Sequence, residues 1–372
     1  MEIKERLLVP GDWWEVADIL GTDGGVALIW GASDTGKTTF ARFLTETLRG
    51  KGCRVALVDG DMGQATLGPP TTIGLAIHFP SSEAGETSRI HLRFVGATSP
   101  SGHLLPTLVG LKRLVDKAFS LMAEVVLVDT TGLVQGGAAR ELKFRKVELL
   151  RPRHIVALQR ASEIEHLLHP HVHRPGLKIQ RLLATPEVKA KSREHRRAFR
   201  EERFRHYFQD AALQDLAWRD VGLHGTWLGS GKRLSGSDLT FVAKSLDTLV
   251  FYGEKAGEEL CLVTGGEHRG EEIHRLKAHY EVREVQVWEA GELQGLLLGL
   301  NDGEGDTMAL GILQDLDLRA GRLTVLTPMK EPNQVKLIQF GSLKLEASGR
   351  ELGVWGKMGD QALKERFWAE KR

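Results

Sequence analysis

The chain contains 372 residues, of which 41% are hydrophobic and 27% charged, and its 50 lysines and arginines nearly balance its 49 aspartates and glutamates. This composition excludes a largely disordered chain, a collagen and a coiled coil, and the length predicts two domains, or three. A formal net charge of +1 does not by itself indicate a polyanionic partner, so any basic surface must be local.

The only two cysteines, Cys53 and Cys261, are far apart in the sequence and do not have metal-ligand spacing. A disulfide framework or a thiolate zinc site is therefore not indicated, which is typical of a reducing compartment. The N-terminal residues lack the apolar core of a signal peptide, and no apolar run reaches the roughly 18 residues that span a bilayer. We therefore expect a cytoplasmic protein without a membrane partner.

In the first half of the chain, short apolar runs alternate with helical patterns. Strands are predicted at 26–30, 54–59, 89–95, 125–129, 154–159 and 178–183, and helices at 38–48, 104–122 and 141–150. This alternation predicts an α/β fold with a parallel sheet covered by helices on both faces.

After a strongly charged helix at 192–208, short apolar runs broken by glycine, aspartate and proline indicate a smaller, mainly β C-terminal domain. We expect a short N-terminal segment at 1–23, an α/β domain at 24–215 with a basic helix at about 186–206, and a β-rich domain at 220–372.

A glycine-rich motif follows the first predicted strand and opens the first predicted helix. Glycines let backbone N–H groups surround phosphate oxygens, Lys37 reaches the β and γ phosphates, and the Thr38 hydroxyl binds Mg²⁺. The strand–loop–helix setting makes this a P-loop and predicts a nucleoside triphosphate with magnesium. The candidate nucleotide-binding residues are Gly31, Ala32, Ser33, Asp34, Thr35, Gly36, Lys37, Thr38 and Thr39.

Carboxylates follow two of the predicted strands, where ligands bind in open α/β sheets. Asp59 and Asp61 end the second strand, and Asp129 ends the apolar run 125–128 in the manner of a Walker B acid. With Thr38, these three acids are the candidate metal ligands, although acids that merely shape or cap a turn remain an alternative. His103 is a candidate for a general base, as an alternative to Asp61.

Guanine-binding proteins normally carry an Asn-Lys-x-Asp segment, but the only asparagines here are Asn301 and Asn333, and neither precedes a lysine. The sequence therefore favours ATP over GTP. From Glu141 to Arg205 there are 17 basic and 8 acidic residues. This excess suits a transferring phosphoryl group or a nucleic-acid backbone, and a solvated helix face is the alternative.

Five segments occur in order after the P-loop: 61–64 (Asp-Met-Gly-Gln), 68–74 (Gly-Pro-Pro-Thr-Thr-Ile-Gly), 98–103, 129–132 and the basic helix 191–205. Together they resemble the polynucleotide 5′-hydroxyl kinase family, and most closely its stand-alone archaeal and bacterial branch. The resemblance implies a P-loop NTPase core with an arginine-bearing lid and a C-terminal β domain. It implies transfer of the γ-phosphate of ATP, with Mg²⁺, to the 5′-hydroxyl end of RNA or DNA.

The resemblance also implies roles for individual residues. Asp61 matches the general base, Lys37 and the lid residues Arg196 and Lys191 match the groups that stabilise phosphoryl charge, and 131–132 match a clasp that holds the terminal nucleotide. Candidate substrate contacts within these motifs are Gln64, Thr72, Ser99, His103, Thr130, Thr131, Gly132, Arg193, Arg197 and Arg200.

Two positions depart from the family pattern. Leu133 follows the clasp glycine where eukaryotic members usually have tryptophan, which changes the expected stacking on the terminal base. Lys191 replaces the usual first lid arginine and lacks the bidentate fork of a guanidinium.

Two other functions remain open at this stage. One is a P-loop switch ATPase or GTPase without a nucleic-acid acceptor, and the other is a non-catalytic scaffold in RNA processing. The basic helix and the missing guanine motif weigh against the first, and the intact Lys37, Thr38 and Asp61 weigh against the second. No obligate protein partner is indicated.

Overall fold

The computed structural model describes residues 9–81, 89–184, 191–266 and 272–355. The chain divides into two compact units, 1–203 and 204–372. The domain bounds that we derived from the sequence, 24–215 and 220–372, stay a proposal. Residues 186–190 of the predicted basic helix lie outside the described residues.

Seven strands form the sheet of the first unit: β1 (Gly25–Trp30), β2 (Val55–Gly60), β3 (Thr72–His78), β4 (His91–Phe94), β5 (Val125–Thr130), β6 (His154–Gln159) and β7 (Lys178–Leu183). Their order is β4-β3-β2-β5-β1-β6-β7. The strands β2, β5, β1, β6 and β7 are parallel, and β3 is antiparallel to both of its neighbours. The predicted α/β fold with a parallel sheet is confirmed, and β3 is an antiparallel strand that the sequence analysis did not predict.

Among the described residues, six α-helices accompany this sheet: α1 (Gly11–Asp23), α2 (Lys37–Gly50), α3 (Leu104–Ser120), α4 (Gly136–Leu150), α5 (Glu165–Leu168) and α6 (Arg193–Phe208). Side chains of a strand alternate between its faces, and in β1 both sets are buried. Leu28 packs in the cluster that includes α3 and α4, whereas Ile29 packs in the cluster that includes α1 and α2. Each fully buried leucine or isoleucine contributes about 1.5–3 kcal/mol, so the sheet is held from both sides.

The second unit is mainly β, as predicted, but its described residues also contain two α-helices that the sequence analysis missed. Its elements are β8 (Ala212–Ala217), β9 (Gly222–His224), β10 (Lys232–Arg233), α7 (Gly236–Leu246), β11 (Val250–Ala256), β12 (Glu259–Thr264), α8 (Ile273–Tyr280), β13 (Glu284–Glu289), β14 (Leu296–Asn301), β15 (Thr307–Asp317), β16 (Arg322–Thr327), β17 (Leu337–Leu345) and β18 (Glu351–Val354). One sheet has the order β10-β11-β12-β13, and the other has the order β18-β17-β14-β15-β16-β8 with β9 paired to β17.

Within the described ranges, no helix has both the length and the hydropathy that a membrane crossing requires.

Candidate active site

The phosphate-binding loop connects β1 to α2, and its glycines are required by its geometry. Gly36 has a φ of +85°, in the left-handed region that favours glycine. A Cβ at Gly31 would lie 2.5 Å from Thr35 Oγ1 and 2.6 Å from the Leu158 carbonyl oxygen. Helix α2 begins at Lys37, directly after the loop, so its first N–H groups and its positive dipole end are available to an anion.

Two side chains at the start of α2 connect the loop to the sheet. Lys37 is buried and donates from Nζ to the Ala32 carbonyl oxygen at 2.6 Å, while Thr38 Oγ1 donates to Asp129 Oδ2 at 2.6 Å. Burial lowers the pKa of Lys37, and the nearby carboxylates of Asp129 and Asp61 oppose that effect. Lys37 thus lies between the P-loop and the carboxylates of Asp129 and Asp61, where its positive charge can bind a polyphosphate.

Asp59 and Asp129 are buried neighbours, because they are register partners at the carboxyl ends of β2 and β5. Burial, and then the negative charge of Asp59, raises the pKa of Asp129 to about 7. Burial also raises the pKa of Asp59. Two carboxylates in this environment repel each other and are stabilised by any cation that binds beside them.

The loop after β2 surrounds Asp59 with hydrogen-bond donors. Asp59 Oδ2 accepts from Thr66 N at 2.6 Å, Thr66 Oγ1 at 2.8 Å and Leu67 N at 3.2 Å, and Oδ1 accepts from Asp61 N at 3.1 Å. Neither Asp59 nor Asp129 is among the residues that line the cavity, and the two differ in that both oxygens of Asp59 already accept hydrogen bonds whereas Asp129 Oδ1 has no partner among the described residues. The geometry therefore favours a structural role for Asp59 over the metal-ligand role that its position in the sequence predicted.

Asp61 has the opposite environment. It lines the cavity, and its Oδ1 accepts from the N–H groups of Gly63 and Gln64, both at 3.1 Å. No hydrogen bond to its Oδ2 comes from the described part of the chain. One oxygen thus fixes the carboxylate while the other remains able to accept a proton.

The segment after β5 lies against the phosphate-binding loop. Thr131 and Gly132 line the cavity, and Thr131 Oγ1 is buried with no hydrogen-bond partner among the described residues. A Cβ at Gly132 would lie 2.4 Å from Ser33 Oγ and 2.6 Å from Ser33 N. Only glycine permits this approach, so the predicted clasp at 131–132 packs directly against the P-loop.

Basic residues of α6 and of the segment before it line the same cavity. Lys191 N and Arg196 Nη2 donate to Asp34 Oδ2 of the P-loop at 3.0 and 2.6 Å, and Arg203 Nη2 donates to the Gly68 carbonyl oxygen at 2.7 Å. The cavity measures about 700 Å³. The predicted site residues that line it are Ser33, Asp34, Thr35, Gly36, Lys37, Thr38, Thr39, Asp61, Gln64, Ser99, Thr131, Gly132, Lys191, Arg196 and Arg200.

Other predicted substrate contacts lie away from the cavity lining. Thr130 is buried, donates to the Ile29 carbonyl oxygen at 2.7 Å and accepts from Lys143 Nζ at 2.7 Å, while Thr72 donates to the Pro69 carbonyl oxygen at 2.8 Å. These two hydroxyls stabilise the fold, because each already donates a hydrogen bond to a backbone carbonyl oxygen. His103 precedes α3 with Nδ1 3.2 Å from the Ser101 carbonyl oxygen, which does not support a role as base.

Two arginines of α6 are also outside the lining. Arg193 and Arg197 are exposed, and Arg197 forms an ion pair with Glu201 at 2.9 Å. The structure thus separates them from Arg196, Arg200 and Arg203, which face the cavity.

The sequence reading missed several charged residues near the site. Arg42 lies on α2 and lines the cavity, and its spacing of four residues from Thr38 was the available signal. Lys143 and Lys146 on α4 are fully buried, and Lys143 Nζ also donates to the Thr131 carbonyl oxygen at 3.2 Å. Both lysines alternate with Leu142, Val147 and other core residues at helical spacing, so their register placed them inward.

The chain is similar to known proteins over most of its length. Residues 31–210 match the family model described as mRNA cleavage and polyadenylation factor CLP1 P-loop. A polyribonucleotide 5′-hydroxyl-kinase of Pyrococcus horikoshii is 31% identical over 353 residues, which cover 93% of each chain. One of Thermococcus kodakarensis is 34% identical over 328 residues, covering 88% of this chain and 90% of that protein.

A solved structure of Clp1p in complex with Pcf11p (454–563) has a similar fold. It aligns with a TM-score of 0.57 and 14% identity, over 90% of this chain and 79% of that one.

Proposed function

This chain belongs to the polyribonucleotide 5′-hydroxyl-kinase family, and we propose from that premise that it transfers the γ-phosphate of ATP to the 5′-hydroxyl end of RNA. The observation that carries the proposal is a single cavity lined by the P-loop, Asp61, the clasp segment 131–132 and the lid cations. A donor site and an acceptor site for phosphoryl transfer need this combination of groups.

The residues present fit ATP and magnesium. Asp129 Oδ1 is buried and without a partner among the described residues, and Asp129 Oδ2 already accepts from Thr38. Carboxylate and hydroxyl oxygens are the ligands that Mg²⁺ prefers, so Thr38 and Asp129, with Asp61 nearby, would hold it. When bound there, Mg²⁺ supplies charge neutralisation to the phosphates.

The chain's own groups account for the remaining requirements. An alcohol is a weak nucleophile and needs a base that takes its proton as the new bond forms. We assign this role to Asp61, since one of its oxygens is fixed by backbone N–H groups. The proton of the 5′-hydroxyl passes to Asp61, the hydroxyl oxygen bonds to the γ-phosphorus, and the bond to ADP breaks. Lys37 and Arg196 stabilise the charge on the transferring group.

The nucleotide and the acceptor follow from the same arguments. The absence of a guanine motif in the sequence supports ATP. We propose RNA as the acceptor, DNA as a second acceptor, and a cytoplasmic location. A switch ATPase would need neither Asp61 nor a lid cavity with Arg200 and Arg203.

The test is transfer from γ-labelled ATP to a 5′-hydroxyl oligoribonucleotide, with an oligodeoxyribonucleotide in parallel. We expect label on the RNA with the wild-type chain and a loss of about 10²–10⁴-fold in kcat for Asp61→Asn. Asparagine keeps an oxygen for the Gly63 and Gln64 N–H groups, so ATP binding should persist. Asp116→Asn on α3, which breaks an exposed pair with Lys112, is the matched control.

The possible outcomes separate the proposals. Free phosphate without labelled RNA would replace the kinase by an ATPase, and neither product would favour a scaffold. Wild-type turnover by Asp61→Asn would remove Asp61 from the role of base.

A further inference from the structure

Asp34 occupies an unusual place in the P-loop. Its backbone has a φ of +58°, a conformation that aspartate and asparagine tolerate better than most residues. The side chain is 13% exposed, and its Oδ2 receives both Lys191 N and Arg196 Nη2. The Asp34 carbonyl oxygen accepts from Arg160 Nη2 at the end of β6.

These contacts connect the loop to the lid at two points. The hydrogen bond from Lys191 N fixes the backbone just before α6, and the ion pair of 2.6 Å fixes the guanidinium of Arg196. Burial alone would raise the pKa of Asp34, but the hydrogen bonds from Lys191 and Arg196 outweigh it and hold the pKa below its usual value. The carboxylate is therefore ionised while it contacts the lid.

A carboxylate in a phosphate-binding loop is an electrostatic cost, because the ligand is a polyanion. The cost is offset only if the acid does something that a neutral residue cannot. Here it holds the guanidinium of Arg196, whose side chain has several rotatable bonds and is 30% exposed. A lid cation contributes to phosphoryl transfer through its position, and misplacement by about 1 Å can reduce a rate about 100-fold.

We propose that Asp34 is a positioning residue for the transfer reaction: it holds the lid segment at Lys191 and orients Arg196 over the loop that takes the triphosphate. This inference rests on the proposed kinase function. Asp34 acts through Arg196: of these two residues, only Arg196 would contact the transferring phosphoryl group. Removal of the Asp34 charge should lower kcat, whereas the KM for ATP should change little because one anionic repulsion is also lost.

The first measurement is the kinetics of Asp34→Asn, which tolerates the same φ and keeps an acceptor for Lys191 N. We expect kcat to fall about ten- to a hundred-fold, with KM for ATP within about threefold of wild type. An unchanged or raised kcat would overturn the proposal, and so would a rise in KM alone. Asp116→Asn should match wild type.

The second measurement is a double-mutant cycle with Arg196→Ala. If Asp34 acts through Arg196, Asp34→Asn should have no further effect on kcat in the Arg196→Ala background. Multiplicative effects would refute the coupling. Thermal unfolding of each variant reports folding, since a purely structural role would lower stability without giving this non-additive kcat pattern. Failure of the wild type and Asp116→Asn to label RNA would instead refute the kinase function itself.

Discussion

Lys146→Met should stabilise the protein at neutral pH, because it removes a buried charge that has no hydrogen-bond partner among the described residues. Lys146 is fully buried on α4, and its Nζ donates no hydrogen bond to any of the described residues. Burial lowers its pKa from 10.5 to about 8, although the carboxylates of Asp61 and Asp129 partly oppose the change. Methionine has a similar length and no charge, so it fits the same space.

The magnitude follows from the two pKa values. At 1.36 kcal/mol for each unit of difference between the two pKa values, the protonated Lys146 lowers the free energy of unfolding by about 3 kcal/mol. The folded pKa lies below the unfolded one, so below about pH 8 both states are protonated and the full cost is present. Between about 8 and 10.5 the unfolded state binds more protons, and wild-type stability rises with pH.

The stability advantage of Lys146→Met should therefore be about 3 kcal/mol at pH 7.5 and should shrink by about 2 kcal/mol at pH 9.5. The assay is urea unfolding of both proteins at the two pH values, with the transition of the first unit identified by its shift when ATP is added. Titrating groups that do not interact with Lys146 cancel in the difference between the two proteins.

Lys112→Met is the control, since Lys112 lies on the surface of α3 and is paired with Asp116. Loss of such a pair should change stability by no more than about 1 kcal/mol. The reasoning would be refuted if Lys146→Met were less stable than wild type, or if its advantage were the same at both pH values.

Two further predictions concern the clasp. Gly132→Ala should reduce RNA labelling at least about tenfold, since its Cβ would lie 2.4 Å from Ser33 Oγ and force the clasp away from the P-loop; steady-state kinetics check this, and full activity would contradict the close packing. Leu133→Trp should lower the KM for a 5′-hydroxyl oligonucleotide by about 5- to 150-fold, because stacking on a base contributes about 1–3 kcal/mol. An abasic 5′ end is its control, and an equal gain there would exclude stacking.

The local sequence was sufficient to predict the phosphate-binding loop and the central strands. The glycines of the P-loop and its flanking strand and helix are specified within about a dozen residues, and β6 and β7 have the predicted bounds. The strand β3 was missed because it follows two prolines and contains Gly74, features typical of a turn.

The roles of individual polar residues depended on contacts that no local pattern contains. Asp59 and Asp61 are two residues apart, and only the return of the loop to Thr66 decides which carboxylate is saturated. Some signals were present but unused. Asp129 and Thr130 are adjacent in a strand and so face opposite ways, and Ser235 with Asp238 forms the capping box that begins α7.

The contact of Gly132 with Ser33 has a consequence for how substrates meet. The segment assigned to the RNA end and the loop assigned to the triphosphate pack directly against each other, since there is no room for a Cβ at Gly132 beside Ser33. We therefore expect the donor and acceptor sites to adjoin each other in one cavity, with the phosphoryl group transferred directly and without a phosphorylated protein intermediate. Transfer is then expected to require that ATP and the 5′-hydroxyl end are bound at the same time.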